Sequence, residues 1–382
     1  MADHAGAARG LKSRRVAIVH YWLVTMRGGE RVLERLIKLF PEADLFTHVY
    51  DPAAVSEVIR QRPITTTFID KLPAANKLYQ KYLPLMPYAL ERLDLSGYDL
   101  VISSESGPAK GVIPAPNALH VCYTHSPMRY LWDQHALYRA NSGPVARLGA
   151  ELFSKGLRQW DVTTAQRVDR FAANSKFVAK RIEKYYRRDA TVIYPPIDLS
   201  LFQPAADGEQ EDFYLWCSQF TPYKRPDLAI DAFNTLKLPL VMVGRGPTLE
   251  QMKKRAGPTI KFVDRMSFDQ LRAAYCSCKA LVFTAEEDFG MVPVEVIRSG
   301  RPVIALGRGG SLETVTPDLS GMLFDDPEVD QLIDALSRFE RWLPQFDQAR
   351  SIASTERFSV DQFDQGVMDL VEGRPSSRGV SA

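Results

Sequence analysis

Two carboxylates eight positions apart, Glu287 and Glu295, bracket the turn Asp288-Phe289-Gly290-Met291-Val292-Pro293. Lys279–Phe283 just before them is a short apolar run, a buried strand in character. Gly290 permits a turn, and Pro293 fits the first turn of a helix, where a missing N–H costs nothing. The product is strand, acidic loop and helix start. The backbone N–H groups of Gly290, Met291 and Val292 then lie at a helix end that attracts anions. A plain structural use of the same residues also exists: Glu295 as the N3 residue capping its own helix, and Glu287 as a charge favoured by the helix dipole.

Company favours chemistry. Ser218–Pro226 follows an apolar run and opens a helix, with Lys224 and Arg225 side by side. Gly244-Arg245-Gly246-Pro247 follows the next run, and Gly307-Arg308-Gly309-Gly310-Ser311-Leu312-Glu313 follows a later one. Successive strand ends thus carry glycine, cations and acids on one edge of a sheet. Cations hold phosphates and carboxylates accept from hydroxyls, so the edge suits an anionic, polyhydroxylated ligand such as a nucleotide sugar.

These turns need a scaffold. Val16–His20, Leu45–Val49, Ile64–Phe68, Leu100–Ser103, Leu119–Tyr123, Phe171–Ser175 and Thr191–Tyr194 read as strands of a first half. Gly28-Gly29 lies between the first strand and a helix over Glu30–Phe40, the way a doubly wound fold brings amides to a phosphate. Leu148–Val168 and Lys176–Tyr186 read as helices. Pro204–Asp212 is polar and reads as a linker, after which strands at Phe213–Cys217, Leu240–Val243, Ile260–Val263, Ala280–Phe283, Pro302–Leu306 and Gly321–Phe324 alternate with helices. The spacing predicts an α/β protein of two Rossmann-like, doubly wound parallel sheets. The expected segments are a disordered 1–15, a first domain over 16–204, a second over 205–354, a helix at 355–372 and a disordered 373–382.

Composition sets bounds. At 382 residues, 45% hydrophobic and 25% charged, the chain is ordinary globular material for two domains. A net charge of +2 supplies no global field for nucleic acid. The four cysteines lie at no zinc-like spacing with histidine and read as thiols in a reducing compartment. Met1–Arg15 has no apolar core of a signal peptide, and no run approaches a spanning helix, so a cytoplasmic protein is expected. Lys71–Tyr88 is unusual: leucines and tyrosines interleave with Lys71, Lys77 and Lys81, interrupted by Pro84 and Pro87. It reads either as core-facing helices with snorkelling lysines or as a surface dipping into lipid headgroups. The basic run Lys176–Arg188 reads as a solvated helix face or a contact for phosphate or anionic lipid.

As a set, Glu287-x(7)-Glu295 with Phe289-Gly290, Lys224 before Arg225-Pro226, Gly244-x-Gly246-Pro247, Gly309-Gly310-x-x-Glu313 and Gly28-Gly29 resembles retaining glycosyltransferase family 4, over roughly Val16 to Val371. Tyr123-Thr124-His125-Ser126-Pro127 through Asp133, with Ala173-Asn174-Ser175, is similar to the bacterial mannosyltransferases of exopolysaccharide assembly. One departure stands out: where the family has Gly-Arg ahead of the lysine loop, this chain has Ser218-Gln219, leaving Arg225 as the candidate second cation.

The resemblance implies a GT-B enzyme, with the acceptor on the first domain and the donor on the second. It implies Lys224 on the donor diphosphate, Glu287 on hydroxyls of the transferred sugar, Glu295 on the ribose and His125 beside the sugar. It places Gly28, Gly29, Ser175, Arg225, Gly290, Met291 and Val292 in the donor site. It implies GDP-mannose as donor, a polyprenyl-diphosphate-linked cellobiosyl acceptor, and peripheral contact with the inner face of the cell membrane through about Lys71–Tyr88; a family 4 enzyme with a UDP-sugar donor, or a non-catalytic nucleotide-sugar-binding protein, is the alternative. No cofactor and no metal are expected; the chain has no D-x-D.

Overall fold

The computed structural model describes residues 14–140, 143–205 and 210–374. The tails expected to be disordered, and the middle of the linker, lie almost wholly outside these residues. The chain divides into two compact units, Met1–Ile193 with Asp364–Ala382, and Tyr194–Phe363.

The first unit is built on seven parallel strands: β1 (Val16–His20), β2 (Asp44–Thr47), β3 (Ile64–Thr66), β4 (Leu100–Glu105), β5 (Leu119–Thr124), β6 (Arg170–Ala173) and β7 (Ala190–Val192). Their order is β3-β2-β1-β4-β5-β6-β7. The second unit has six: β8 (Tyr214–Cys217), β9 (Leu240–Val243), β10 (Ile260–Val263), β11 (Ala280–Phe283), β12 (Val303–Leu306) and β13 (Gly321–Phe324), ordered β10-β9-β8-β11-β12-β13. All described pairings between these strands are parallel. Both orders reverse direction once, between β1 and β4 and between β8 and β11. In doubly wound sheets ligands collect at the carboxyl ends of the strands flanking such a reversal.

The second sheet forms because nearly every strand residue is apolar and both faces are covered. Along β8, Tyr214 and Trp216 join one core with Ile230 and Phe233 of the helix Pro226–Leu236 and with Leu336 and Phe339 of Val329–Trp342. Leu215 points the other way, to Val294 and Ile297 of the helix Met291–Arg298. Each such buried side chain contributes roughly 1.5–3 kcal/mol. The last helix, Val360–Glu372, is anchored to the first unit from Asp364 onward: Arg35 ion-pairs with Asp364, and Arg170 Nη1 donates to the Leu370 carbonyl at 2.6 Å.

The segment Lys71–Tyr88 folds as short pieces, a helix Ala75–Leu78, a 3-10 stretch Tyr79–Leu85 holding Pro84, and a helix starting at Met86. The side chains divide between core and surface. Met86 is in a core that Tyr79, Tyr82 and Leu83 pack against. Leu85 and Tyr88 remain exposed, as do Lys71, Lys77 and Lys81. The apolar surface here is therefore smaller than the sequence pattern suggests.

Candidate active site

In the second unit the reversal between β8 and β11 brings Lys224 and Glu287 together. The loop leaving β8 turns through a 3-10 helix, Pro222–Lys224, and Arg225 then caps the helix Pro226–Leu236. The loop leaving β11 carries Glu287. The Lys224 ammonium ion-pairs with the Glu287 carboxylate, both side chains largely buried. Thr284, the residue after β11, ties the loops: its hydroxyl donates to the Lys224 carbonyl at 2.8 Å and accepts from the Trp216 indole at 3.0 Å. The ammonium also lies over the Tyr223 ring, 4.9 Å from its centroid. A buried cation beside a carboxylate at a helix start is a site that can hold a phosphate and a hydroxyl together.

Arg225 sits beside this pair but is engaged elsewhere. Its backbone is left-handed, φ +52°, and its guanidinium meets Asp227 and the Pro327 carbonyl at 3.1 and 3.2 Å. Its use as the second donor cation would require those bonds to be exchanged.

Gly290 precedes the helix Met291–Arg298 in a left-handed turn, φ +89°. Met291 and Val292 are its first two residues, and Pro293 occupies N3. Glu295 is therefore not the N3 cap that the plain reading offered. It is 4% exposed and faces inward, where the Tyr275 hydroxyl hydrogen-bonds to it and the Cys217 thiol lies close. Burial pushes that thiol up to about 12, and the Glu295 charge adds to the effect.

The acidic loop is positioned by a second one. Gly310 N–H donates to the Glu287 carbonyl at 2.8 Å, and Glu287 bridges to Gly309 in parallel. A Cβ on Gly309 would meet the Glu287 carbonyl oxygen at 2.3 Å, and one on Gly310 would meet Phe289 backbone atoms at 2.3 Å. Gly309 also adopts φ +64°. Only glycine fits at these two places.

In the first unit the reversal falls between β1 and β4, ending in His20 and in Ser104-Glu105. His125 follows β5, and its Nε2 is 2.8 Å from the Ser104 hydroxyl. Gly28 and Gly29 open the helix Gly28–Leu39. A Cβ on Gly29 would be 2.4 Å from the Tyr21 hydroxyl and 3.6 Å from His125 Nε2, so this turn and His125 are neighbours. Ser175 is fully buried and caps the helix Lys176–Tyr186, accepting from Val178 N–H and donating to the Asn174 side chain. Asn174 in turn donates to the His125 carbonyl at 2.9 Å. Ser175 thus holds the wall behind His125.

Most of the motif after His125 serves packing. Arg181 bonds Ser126 and ion-pairs with Asp133, Trp132 stacks on Tyr185, and Met128 and Leu131 are core. Trp132 also donates to Asp161, at 2.8 Å. Asp161 belongs to a group that sequence reasoning missed: Lys110 ion-pairs with both Glu105 and Asp161, all three fully buried. Tyr186 donates to Asp161, and the backbone N–H of Lys110 donates to Glu105. Burial alone would lower the Lys110 pKa, and the two carboxylates more than offset it, leaving it raised. The only sequence signal was the polar end of β4, Ser103-Ser104-Glu105, after an apolar run.

Known proteins resemble each half of the chain. Residues 26–201 match the family described as Glycosyltransferase Family 4, and residues 200–344 match Glycosyl transferases group 1. Each match covers less than half of the chain, and the two together run from residue 26 to 344. Among curated glycosyltransferases, a D-inositol 3-phosphate glycosyltransferase of Nocardioides sp. is 29% identical over 209 residues, 44% of this chain and 45% of that one. The GDP-mannose-dependent alpha-(1-6)-phosphatidylinositol monomannoside mannosyltransferase of Mycobacterium tuberculosis is 26% identical over 193 residues, 43% of this chain and 50% of that one. The chain spans about half the length of these relatives. Anabaena HepE, solved with UDP and glucose, superposes with a TM-score of 0.70 at 16% identity, over 94% of this chain and 99% of that one. At that identity the likeness establishes the fold: two Rossmann-like parallel-sheet domains of the GT-B class. Among the described residues no helix of these domains is long and apolar enough to cross a membrane.

Proposed function

We propose that the chain is a retaining, metal-independent α-mannosyltransferase. It would move mannose from GDP-mannose to a polyprenyl-diphosphate-linked cellobiosyl acceptor in bacterial exopolysaccharide assembly. The observation that carries the transferase reading is the Lys224–Glu287 pair at the reversal of the second sheet, with Glu287 in the loop that leads to the helix Met291–Arg298. The donor reading is supported by the His125–Asp133 resemblance and by the GDP-mannose-dependent relative.

In this reading the donor diphosphate takes over Lys224 from Glu287, and the released carboxylate accepts from sugar hydroxyls. Glu295 receives the ribose, and His125 lies beside the sugar. As the glycosidic bond breaks, charge grows on the leaving phosphate, where the lysine and the helix N–H groups stabilise it. The acceptor oxygen attacks the same face of the sugar, and its proton passes to the leaving diphosphate. No second carboxylate acts as nucleophile, unlike the usual glycosidase pair.

Calorimetry with GDP-mannose and UDP-glucose, followed by mass detection of product on a lipid-linked disaccharide, tests the donor. GDP-mannose should bind and be consumed. Binding of UDP-glucose with none of GDP-mannose would overturn the choice of donor and leave the transferase reading standing. Activity should also survive EDTA; loss restored by Mg²⁺ or Mn²⁺ would contradict the metal-independent mechanism.

A lipid-linked acceptor brings the enzyme to a bilayer. Exposed Leu85 and Tyr88, with Lys71, Lys77 and Lys81, form the proposed contact. Each lysine near an anionic leaflet contributes about 1 kcal/mol. Replacing the three lysines with Glu should release the protein from anionic vesicles and spare transfer to a short, water-soluble acceptor. Unchanged sedimentation with vesicles would exclude this surface and turn attention to Lys176–Arg188.

A further inference from the structure

His125 is not alone at the carboxyl edge of the first sheet. His20 and Ser104 are register partners across β1 and β4, so their side chains leave the same face of the sheet. Ser104 pairs in turn with Tyr123 on β5, and His125 lies two residues further along that face. The outcome is a chain of three groups. His20 Nδ1 is 3.0 Å from Ser104 Oγ, and Ser104 Oγ is 2.8 Å from His125 Nε2. His20 and Ser104 are both fully buried. The other ring nitrogen of His20, Nε2, is buried with no hydrogen-bond partner among the described residues.

One hydroxyl hydrogen cannot serve two acceptors. Between two ring nitrogens, Ser104 donates to one and accepts from the other. With both rings neutral, two arrangements satisfy it. In the first, His125 Nε2–H donates to Ser104, which donates to His20 Nδ1; the proton of His20 then sits on Nε2, as a buried N–H with nothing to bond. In the second, His20 Nδ1–H donates to Ser104, which donates to His125 Nε2; His20 Nε2 then carries only a lone pair. Orphaned buried N–H groups are the rarer and costlier defect. Burial also holds His20 neutral, its pKa pulled well below the ordinary histidine value with the nearby His125 adding to the effect. The second arrangement is the one the surroundings select.

We propose that His20 and Ser104 are positioning residues that fix His125 as its Nδ1–H tautomer. Nε2 is then committed as an acceptor to Ser104, and the ring offers a donor at Nδ1. The tautomer of a histidine is set by the bond its other nitrogen makes, and here that bond is set one step further back, by a histidine that never meets solvent. In the glycosyl-transfer reading, on which this use of His125 rests, the ring would hydrogen-bond a sugar oxygen as a donor. It would not act as a base through Nε2.

Long-range proton–nitrogen spectra of the uniformly 15N-labelled full chain read the tautomer directly and need no substrate. The chain has six histidines, and His125→Phe assigns the His125 signals by their loss. In the wild type, His125 should show a protonated Nδ1 and an unprotonated Nε2. Ser104→Ala should abolish that pattern in favour of the Nε2–H form usual in water, and Ser104→Thr, which keeps the hydroxyl, should restore it. His20→Phe, which removes the donor to Ser104, should weaken it. An Nε2–H tautomer in the wild type, or an unchanged pattern in Ser104→Ala, would overturn the proposal. Because the wild-type spectrum is itself decisive, a variant that fails to fold does not blunt the test.

If transfer is confirmed, Ser104→Ala should lower kcat about tenfold with donor KM nearly unchanged, and Ser104→Thr should recover most of it. Absence of any transfer activity would sink the functional reading and leave the tautomer result intact.

Discussion

Lys224→Ala should lower turnover about 100-fold, close to 2.7 kcal/mol of transition-state stabilisation, and change the donor's apparent affinity much less. The reason is timing: in the proposed transfer the cation faces a phosphate whose charge is still growing when the barrier is crossed. The ion pair with Glu287 complicates a single substitution, because removing the lysine also leaves a carboxylate without its counter-ion where the diphosphate must sit. A double substitution resolves this. If the loss comes from the missing cation, Lys224→Ala with Glu287→Gln stays as slow as the single variant. If it comes from repulsion by Glu287, the double variant recovers, and the coupling between the two sites measures that term. A variant with normal kcat and a weakened donor would assign Lys224 to uniform binding.

Lys110→Met should destabilise the first unit by about 3–5 kcal/mol, the cost of stranding buried carboxylates without their cation. Glu105 and Asp161 are both fully buried and both bound to that ammonium. Urea unfolding followed by a probe of the first unit would report it, with the exposed Lys77→Met as a control near zero. Adding Asp161→Asn removes one of the two stranded charges, so the double variant should be less destabilised than Lys110→Met alone. A loss below about 1 kcal/mol in the single variant would show that water or rearrangement replaces the ammonium. The damage should extend to His125, because Glu105 ends β4 beside Ser104 and its carbonyl accepts from His125 N–H at 2.7 Å.

Much of this architecture is legible in the sequence. The strands stand out because they are short apolar runs stopped by glycine, proline or charge, as at Leu240–Val243 before Gly244. The helix Leu249–Arg255 is not legible, because only Leu249 and Met252 are buried and the rest is largely charged. Lys224 and Glu287 are each visible at their turns, but their pairing is a product of strand order, which joins residues 63 positions apart. The buried ions escape for a different reason. Lys110 and Asp161 look like ordinary surface residues, and nothing local reveals that 51 residues of chain fold back to bring them together. The stretch from Ser126 to Asp133 is legible only as a family resemblance; its contacts with Arg181, Tyr185 and Asp161 come from distant parts of the chain that nothing local reveals.

The seam between the acidic loop and Gly309-Gly310 bears on how such a protein can be re-engineered. A chimera that imports residues 285–291 from a relative, to change the sugar used in the proposed transfer, inherits a backbone shaped for a different neighbour. With Gly310 N–H bonded to Glu287 and no room for a Cβ at either glycine, the two segments behave as one transplantable cassette although 15 residues of strand and helix separate them. Grafts should therefore exchange 285–291 and 307–313 together, and a library that diversifies either segment alone samples mostly misfitted loops.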